Sequence, residues 1–207
     1  MTIDGDTLHE TFGDIDIYLF DQLLRGRIRP GMRVLDAGCG GGRNLHYLLR
    51  SGYDVAGVDQ SGEAIAAVRR LAADVAPDLP ADAFRVEAIE HLSFDANSFD
   101  AVISSATLHF ARDDEHFRAM VDAMWRALRT GGILFVRLAS TIGMPADRFS
   151  PLGGRRYRLP DGSDRYLIDE DMLIEETARL RAEMVDPLKT TVVQNARCMT
   201  TWVLRKS

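Results

Sequence analysis

Apolar and polar positions along the chain follow two different periods, which predict two kinds of element. Short apolar runs that end in glycine or aspartate, such as MRVLDAG at 32–38 and YDVAGVD at 53–59, predict buried parallel strands. Between such runs the apolar positions are spaced three and four residues apart, which predicts amphipathic helices. Because strands and helices alternate strictly from about residue 30 to 140, we expect a doubly wound α/β sheet.

The same patterns give the individual elements. A helix is predicted over 14–25, and the apolar stripe from Phe117 to Leu128 predicts another, capped by Asp113 and packed into the core through its Met and Trp residues. Ser61 is a suitable cap for a helix over 62–73. Further helices are expected over 43–50 and 169–181, and further strands over 84–89, 99–105 and 133–140.

The chain changes character after the fifth predicted strand. Residues 140–165 are rich in Gly, Pro, Arg and Asp and predict a long surface loop, which in compact domains is usually a functional lid or disordered. Two closely spaced apolar runs, 184–194 and 198–206, predict an antiparallel pair of strands. Pro187 cannot donate to a ladder, so we expect its strand at a sheet edge or with a bulge.

We therefore predict one domain over 1–207. It comprises a helical cap (1–29), a core (30–140) and a C-terminal part (141–207) with a lid loop, a helix and a β-hairpin. Hydrophobic residues make up 46% of the chain and charged residues 27%, as in ordinary globular proteins.

Charge and cysteine content narrow the class of protein. The net charge of −6 disfavours nucleic-acid and anionic-membrane partners, and the only dense basic run is 155–158. Cys39 and Cys198 do not form a disulfide framework. No signal peptide and no apolar run of membrane-spanning length is recognisable. We expect a cytoplasmic monomer or homodimer without a metal site.

The segment VLDAGCGGGRN, residues 34–44, holds four glycines between a predicted strand and a predicted helix. No Lys follows them, so this is not a phosphate-binding P-loop. Arg43 stands where the dinucleotide fingerprint requires its third glycine. The spacing Asp36-x-Gly38-x-Gly40-x-Gly42 instead allows backbone N–H groups to face an amino-acid carboxylate.

Asp59 ends the second predicted strand, 21 positions after Gly38. A carboxylate there can accept hydrogen bonds from both hydroxyls of a ribose, and its charge repels a 2′-phosphate. The two features together predict a ligand with an unphosphorylated ribose and a small zwitterionic group. S-adenosylmethionine has that shape.

Four landmarks in order resemble the class I S-adenosylmethionine-dependent methyltransferases over about residues 30–140. They are VLDAGCGGG, GVDQS, EAIEHLSFDANSFDAVISSATLHF and LRTGGILFV, the last with Thr130 where the family usually has proline. GGGRN and YLLRSGYDV are also similar to the small-molecule and tellurite-resistance branch. The resemblance implies a Rossmann-like seven-stranded sheet of order 3-2-1-4-5-7-6 with strand 7 antiparallel.

The resemblance also implies roles for single residues. The methionine end of S-adenosylmethionine would meet Asp36, the glycine loop and the end of strand four, and the ribose and adenine would meet the ends of strands two and three. Many relatives have an adenine-binding aspartate where this chain has Ala88, so the contact would come from Ile89 or Glu90. The implied cofactor-binding residues are Asp36, Gly38, Cys39, Gly40, Gly42, Asp59, Gln60, Ile89, Glu90, Ser104 and Ser105.

Methyl transfer needs a nucleophile held in line with the methyl group, and a base only where the acceptor is protonated. His109 is the candidate base, because its usual pKa is near neutrality. Tyr18 is a candidate to close over the cofactor. Arg137, with Arg155, Arg156 and Arg158, is a candidate to bind an anionic acceptor. The alternative for the loop arginines is a solvated basic run balanced by Asp161 and Asp164.

We expect methyl transfer to the oxygen, nitrogen, sulfur or chalcogen atom of a small molecule, because about 65 residues beyond strand five are too few for a domain that grips a macromolecule. Two alternatives remain: a non-catalytic protein that binds S-adenosylmethionine, and an RNA or protein methyltransferase that acts with a partner.

Overall fold

The structure, a computed structural model, describes residues 5–207. Its centre is an eight-stranded sheet of order β10-β11-β5-β4-β1-β2-β3, in which β9 also pairs with β11. These strands are β1 (Arg33–Ala37), β2 (Asp54–Asp59), β3 (Phe84–Val86), β4 (Phe99–Ser105), β5 (Leu128–Ala139), β9 (Ala182–Met184), β10 (Lys189–Val193) and β11 (Arg197–Lys206). A separate sheet contains β6 (Ser150–Gly153), β7 (Arg156–Arg158) and β8 (Asp164–Tyr166).

Helices cover both faces of the central sheet. Leu19, Leu48 and Val68 pack on one face, and Phe117 and Leu173 pack on the other. Alternate positions of β1 and β4 point into these two cores, which is the arrangement of a doubly wound sheet. The helices are α1 (Gly5–Phe12), α2 (Ile17–Leu24), α3 (His46–Arg50), α4 (Gly62–Val75), α5 (Asp114–Ala127) and α6 (Glu170–Arg179).

The predicted strand order is confirmed. Strands β1 to β5 are parallel, and β11 runs antiparallel to β5 as the seventh strand of the family pattern. The sixth position is divided into β9 and β10 with Pro187 between them, so the single strand predicted over 184–194 is wrong. Both pieces pair with β11 alone at the sheet edge, where proline is tolerated.

All five predicted helices are present, and three of them are shorter than predicted. Side chains at the predicted caps accept backbone N–H bonds, from Ala64 to Ser61 and from His116 to Asp113. The helix predicted over 43–50 begins only at His46, because the glycine loop continues through Leu45. Predicted strand 84–89 ends at Val86, because the chain turns at Ile89 to bury that side chain.

The surface loop predicted over 140–165 is wrong, because this segment forms most of the β6-β7-β8 sheet. Its strands are too short to show an apolar period, and polar pairs hold them. Arg158 on β7 donates two bonds to the Asp164 carboxylate on β8, at 2.8 and 3.0 Å. A small core with Phe149, Leu159 and Leu167 seats the sheet against the ends of β5 and β11.

The predicted cap over 1–29 holds α1 and α2, and its first four residues lie outside the described part. No described helix is long and apolar enough to cross a membrane. Cys39 and Cys198 are both buried free thiols.

Candidate active site

The glycine loop lies at the carboxyl end of β1, and two of its positions require glycine. Gly38 has φ of +88°, and a Cβ there would lie 2.4 Å from the Thr107 side chain. Gly42 has φ of +89°, and a Cβ there would lie 2.8 Å from Val68 on α4. Gly40 also has positive φ, but open space surrounds it. The loop is therefore tightly packed at both ends and accessible in the middle.

Asp59 links this loop to the end of β2. Its two carboxylate oxygens accept backbone N–H bonds from Gly40, at 3.0 Å, and from Ser61, at 2.9 Å. Each oxygen retains further acceptor capacity. The carboxylate thus fixes the loop and still offers two acceptors to a ligand, as the ribose prediction requires.

Asp36 lies directly beneath the loop and is fully buried. Neither of its carboxylate oxygens has a hydrogen-bond partner among the described residues. Burial raises its pKa to about 7, opposed by the charge of Arg43 and assisted by that of Asp59. An orphaned carboxylate at this position fits a ligand that brings a positive charge, such as the ammonium group of methionine.

Two cavities flank the loop and share Gly38, Ser105, Ala106 and Phe110 in their walls. The first, called here the Asp59 cavity, measures about 330 Å³ and lies over the ends of β2 and β3. The second, called here the His109 cavity, measures about 540 Å³ and lies between the loop and the β6-β7-β8 sheet. The shared residues place the two cavities side by side at the carboxyl edge of the sheet.

Some of the predicted adenine contacts line the Asp59 cavity, and one lies outside it. Gln60 and Ile89 line the Asp59 cavity, together with Glu87, which sequence reasoning missed. Glu90 lies outside it, because its carboxylate is bonded to Nε2 of His116 at 2.9 Å. Burial acts to raise the pKa of Glu90, but its hydrogen bonds and the neighbouring His116 hold that pKa below its usual value.

Several predicted residues lie outside both cavities. Asp36 and Gly42 support the loop from below and from the side of α4, and Ser104 is buried in β4, where its hydroxyl has no hydrogen-bond partner among residues 5–207. Tyr18 reaches β10 instead, where its hydroxyl bonds with that of Thr191 at 2.6 Å. Cys39 lines the His109 cavity, and burial raises the pKa of its thiol, so the site offers no activated thiolate.

Asp16 organises the wall between the helical cap and β5, and sequence reasoning missed it. Its buried carboxylate accepts bonds from Ser105 Oγ at 3.1 Å and from Arg137 at 2.9 Å, while it also caps α2 through Tyr18 N–H. Arg137 therefore lines the His109 cavity with its charge compensated from behind. Only the pattern of an aspartate before an apolar helix hinted at Asp16.

His109 lies in the His109 cavity as a neutral ring. Burial, together with the charges of Arg165 and Arg197, lowers its pKa to about 4. Its Nδ1 accepts the backbone N–H of Ala139 at 3.3 Å, so the ring proton is on Nε2. The ring therefore offers a hydrogen-bond donor at neutral pH, whereas we had expected a base.

The basic run of the predicted loop does not reach the cavity. Arg155 pairs with Asp169, and Arg158 pairs with Asp164, so these side chains stabilise the small sheet. Arg156 is on β7 and is not part of the cavity wall. The arginines of the wall are Arg43, Arg137, Arg165 and Arg197.

Fold and site together define the class of protein. A doubly wound sheet carries a tight glycine loop after β1 and an acidic residue after β2, at the carboxyl edge where such sheets bind nucleotides. The orphaned Asp36 and the two acceptors of Asp59 suit a nucleoside that carries a zwitterionic amino acid.

Comparison with known proteins agrees with this class. The family described as "Methyltransferase domain" matches residues 35–136. The ubiquinone biosynthesis O-methyltransferase of Methylocella silvestris is 34% identical over 117 residues, which are 55% of this chain and 43% of that protein. The chain spans about half the length of such curated relatives.

Solved structures show the same fold. A SAM-dependent methyltransferase from Methanosarcina mazei has a TM-score of 0.71 at 22% identity, with 89% of this chain and 96% of that chain covered. The 1,6-didemethyltoxoflavin-N1-methyltransferase of Burkholderia thailandensis, with 1,6-didemethyltoxoflavin and S-adenosylhomocysteine bound, has a TM-score of 0.70 at 20% identity. That match covers 99% of this chain and 83% of the other.

Residues 35–136 of this chain match the methyltransferase domain family, and the chain has the fold of S-adenosylmethionine-dependent methyltransferases. S-adenosylmethionine is the cofactor of this family of enzymes.

Proposed function

We propose that this protein transfers a methyl group from S-adenosylmethionine to a small-molecule acceptor bound in the His109 cavity. The observation that carries the proposal is the pair of cavities with a common wall at Gly38 and Ser105. The Asp59 cavity suits an adenosine, and the loop separates it from a second space large enough for a small organic molecule.

Two similar proteins support a small-molecule acceptor through their names, which refer to ubiquinone biosynthesis in one and to 1,6-didemethyltoxoflavin in the other. The size of the His109 cavity, about 540 Å³, agrees with this class of acceptor.

Bound S-adenosylmethionine would supply an electrophilic methyl group on its sulfonium, which an acceptor lone pair would attack in line while the electron pair of the sulfur–methyl bond leaves with sulfur. In this proposal the chain mainly positions the acceptor. His109 contributes its Nε2–H as a donor, and a protonated acceptor loses its proton to solvent.

Cofactor binding tests the assignment of the Asp59 cavity. Asp59→Ala removes two acceptors for the ribose and the brace to Gly40, so we expect S-adenosylhomocysteine to bind about 10- to 100-fold more weakly by calorimetry. Asp54→Ala, at the exposed start of the same strand, is the matched control and should bind as wild type does. Unchanged affinity in Asp59→Ala would refute the ribose assignment.

Turnover tests the reaction itself. Labelled S-adenosylmethionine is incubated with the protein and a panel of phenols, thiols, amines and chalcogen oxyanions, and S-adenosylhomocysteine is measured. Tight cofactor binding without product from any acceptor class would favour a non-catalytic binding protein.

A further inference from the structure

We propose that the acceptor is a small organic anion, and that Arg165 and Arg197 bind its carboxylate or phosphate group in the His109 cavity. This inference rests on the proposed methyl transfer, because it assigns the second space of that site. The walls of the cavity carry an excess of positive charge. Four arginines line it, and Asp161 is the one carboxylate among its described lining residues.

Two of the four arginines are already engaged on the helical-cap side. Arg137 is bonded to the buried carboxylate of Asp16 at 2.9 Å, and Arg43 lies 4.0 Å from the same carboxylate. These two positive charges share one compensating negative charge. They lie beside the glycine loop, at the end of the cavity closest to the cofactor.

Arg165, on β8, forms no ion pair with any carboxylate of the described residues. Its guanidinium carbon lies 4.8 Å from the centre of the Phe110 ring, and one nitrogen donates to the backbone carbonyl of Asp164 at 2.8 Å. Stacking on an aromatic face holds a guanidinium flat and leaves its other N–H groups free to bind an oxyanion.

Arg197, at the start of β11, has only a loose partner. Its nitrogen lies 3.8 Å from the Asp161 carboxylate, beyond hydrogen-bond distance, and its side chain is 54% exposed. Arg165 and Arg197 both line the cavity, and both are close enough to the His109 ring for their charges to act on it. This is the arrangement that binds a carboxylate or phosphate through charge-assisted hydrogen bonds.

The remaining walls favour an organic anion over an inorganic ion. Phe110, Leu159 and Met199 give the cavity apolar surface, and its volume of about 540 Å³ far exceeds that of one oxyanion. An acceptor with an apolar body can therefore contact these walls, place its charged group on Arg165 and Arg197, and direct its nucleophile toward the glycine loop.

Calorimetry with matched probes tests this inference on protein saturated with S-adenosylhomocysteine. The probes are 3,4-dihydroxybenzoate against catechol, and 3-mercaptopropionate against 2-mercaptoethanol. We expect the anion of at least one pair to bind about tenfold more tightly than its neutral counterpart, with an advantage that falls as salt is added. Inorganic phosphate is expected to bind more weakly than that organic anion.

Variants assign the effect to the two arginines. The double variant Arg165→Gln/Arg197→Gln should lose the advantage of the anion, Arg165→Lys should keep part of it, and Asp161→Asn should increase it. Arg158→Gln is the matched control, since that exposed arginine lies on the neighbouring strand and pairs with Asp164.

Three results would overturn the inference: no preference for the anion in either pair, a preference that survives in the double variant, or phosphate binding as tightly as the organic anions. Failure of S-adenosylhomocysteine to bind would instead contradict the proposed methyl transfer. The anion comparison can then still be made on cofactor-free protein, so the two failures are distinguishable.

Discussion

The buried carboxyl of Asp36 makes the stability of the cofactor-free protein depend on pH. Burial raises its pKa to about 7 in the folded protein, whereas in the unfolded chain the carboxyl has its usual value of 3.8. The unfolded chain therefore releases this proton first as the pH rises. The contribution of Asp36 to stability is fully present below pH 3.8 and is lost as the pH rises through about 7.

The two pKa values fix the size of this effect. At about 1.36 kcal/mol per pKa unit, the difference between 3.8 and about 7 corresponds to about 4 kcal/mol of unfolding free energy. About 2–3 kcal/mol of it is lost between about pH 5 and about pH 8, a range that is convenient for measurement. Asp36→Asn keeps the shape of the side chain and cannot ionise, so this loss should be absent from the variant.

Urea denaturation of the cofactor-free proteins at several values between about pH 5 and pH 8, followed by tryptophan fluorescence, measures the difference directly. The stability of wild type relative to Asp36→Asn should fall by about 2–3 kcal/mol over this range, because the other titrating groups cancel in the comparison. Asp54→Asn is the control, since that carboxylate is exposed on the neighbouring strand. Parallel curves for wild type and Asp36→Asn would refute the reasoning.

Two further substitutions, Gly42→Ala and Glu176→Gln, test the packing of the glycine loop and the buried ion pairs of α6. Gly42→Ala should cost about 2–3 kcal/mol in denaturation and weaken S-adenosylhomocysteine binding, because its Cβ would lie 2.8 Å from Val68 at positive φ. Gly26→Ala, with positive φ in open space, should cost only about 1 kcal/mol and leave binding unchanged. Glu176→Gln should cost about 2 kcal/mol, because this buried carboxylate binds two half-exposed arginines, and an unchanged denaturation midpoint would contradict that role. Its calorimetric affinity for S-adenosylhomocysteine should equal that of wild type.

The strands of the central sheet could be predicted because each of them has a pattern of apolar residues that is visible within its own sequence. The parallel strands in the middle of the sheet are buried on both faces, so runs such as those of β1 and β4 are mostly apolar and easy to recognise. The glycine loop was equally recognisable, since Gly38 and Gly42 adopt backbone conformations that favour glycine.

The β6-β7-β8 sheet was not predictable in this way. Its strands are held by pairs such as Arg158 with Asp164, which join residues on different strands and leave no period along the chain. The arginines of the cavity wall could not be predicted for the same reason. Arg165 and Arg197 line one cavity only because the small sheet packs against the start of β11, so sequence reasoning chose the denser arginine run nearby.

Features that are unfavourable for local folding collect at one edge of this molecule. Asp36 is buried without a partner, Gly38 has positive φ against Thr107, and Arg165 faces a cavity without an ion pair among the described residues. Natural proteins keep such features where a ligand compensates for them. Asp36, beneath the glycine loop, would be compensated by a positive charge, whereas Arg165 and Arg197, in the wall of the His109 cavity, would be compensated by a negative one. This separation of charge argues for two different ligands, a cofactor that brings an ammonium group and an acceptor that brings an oxyanion, which meet over the loop.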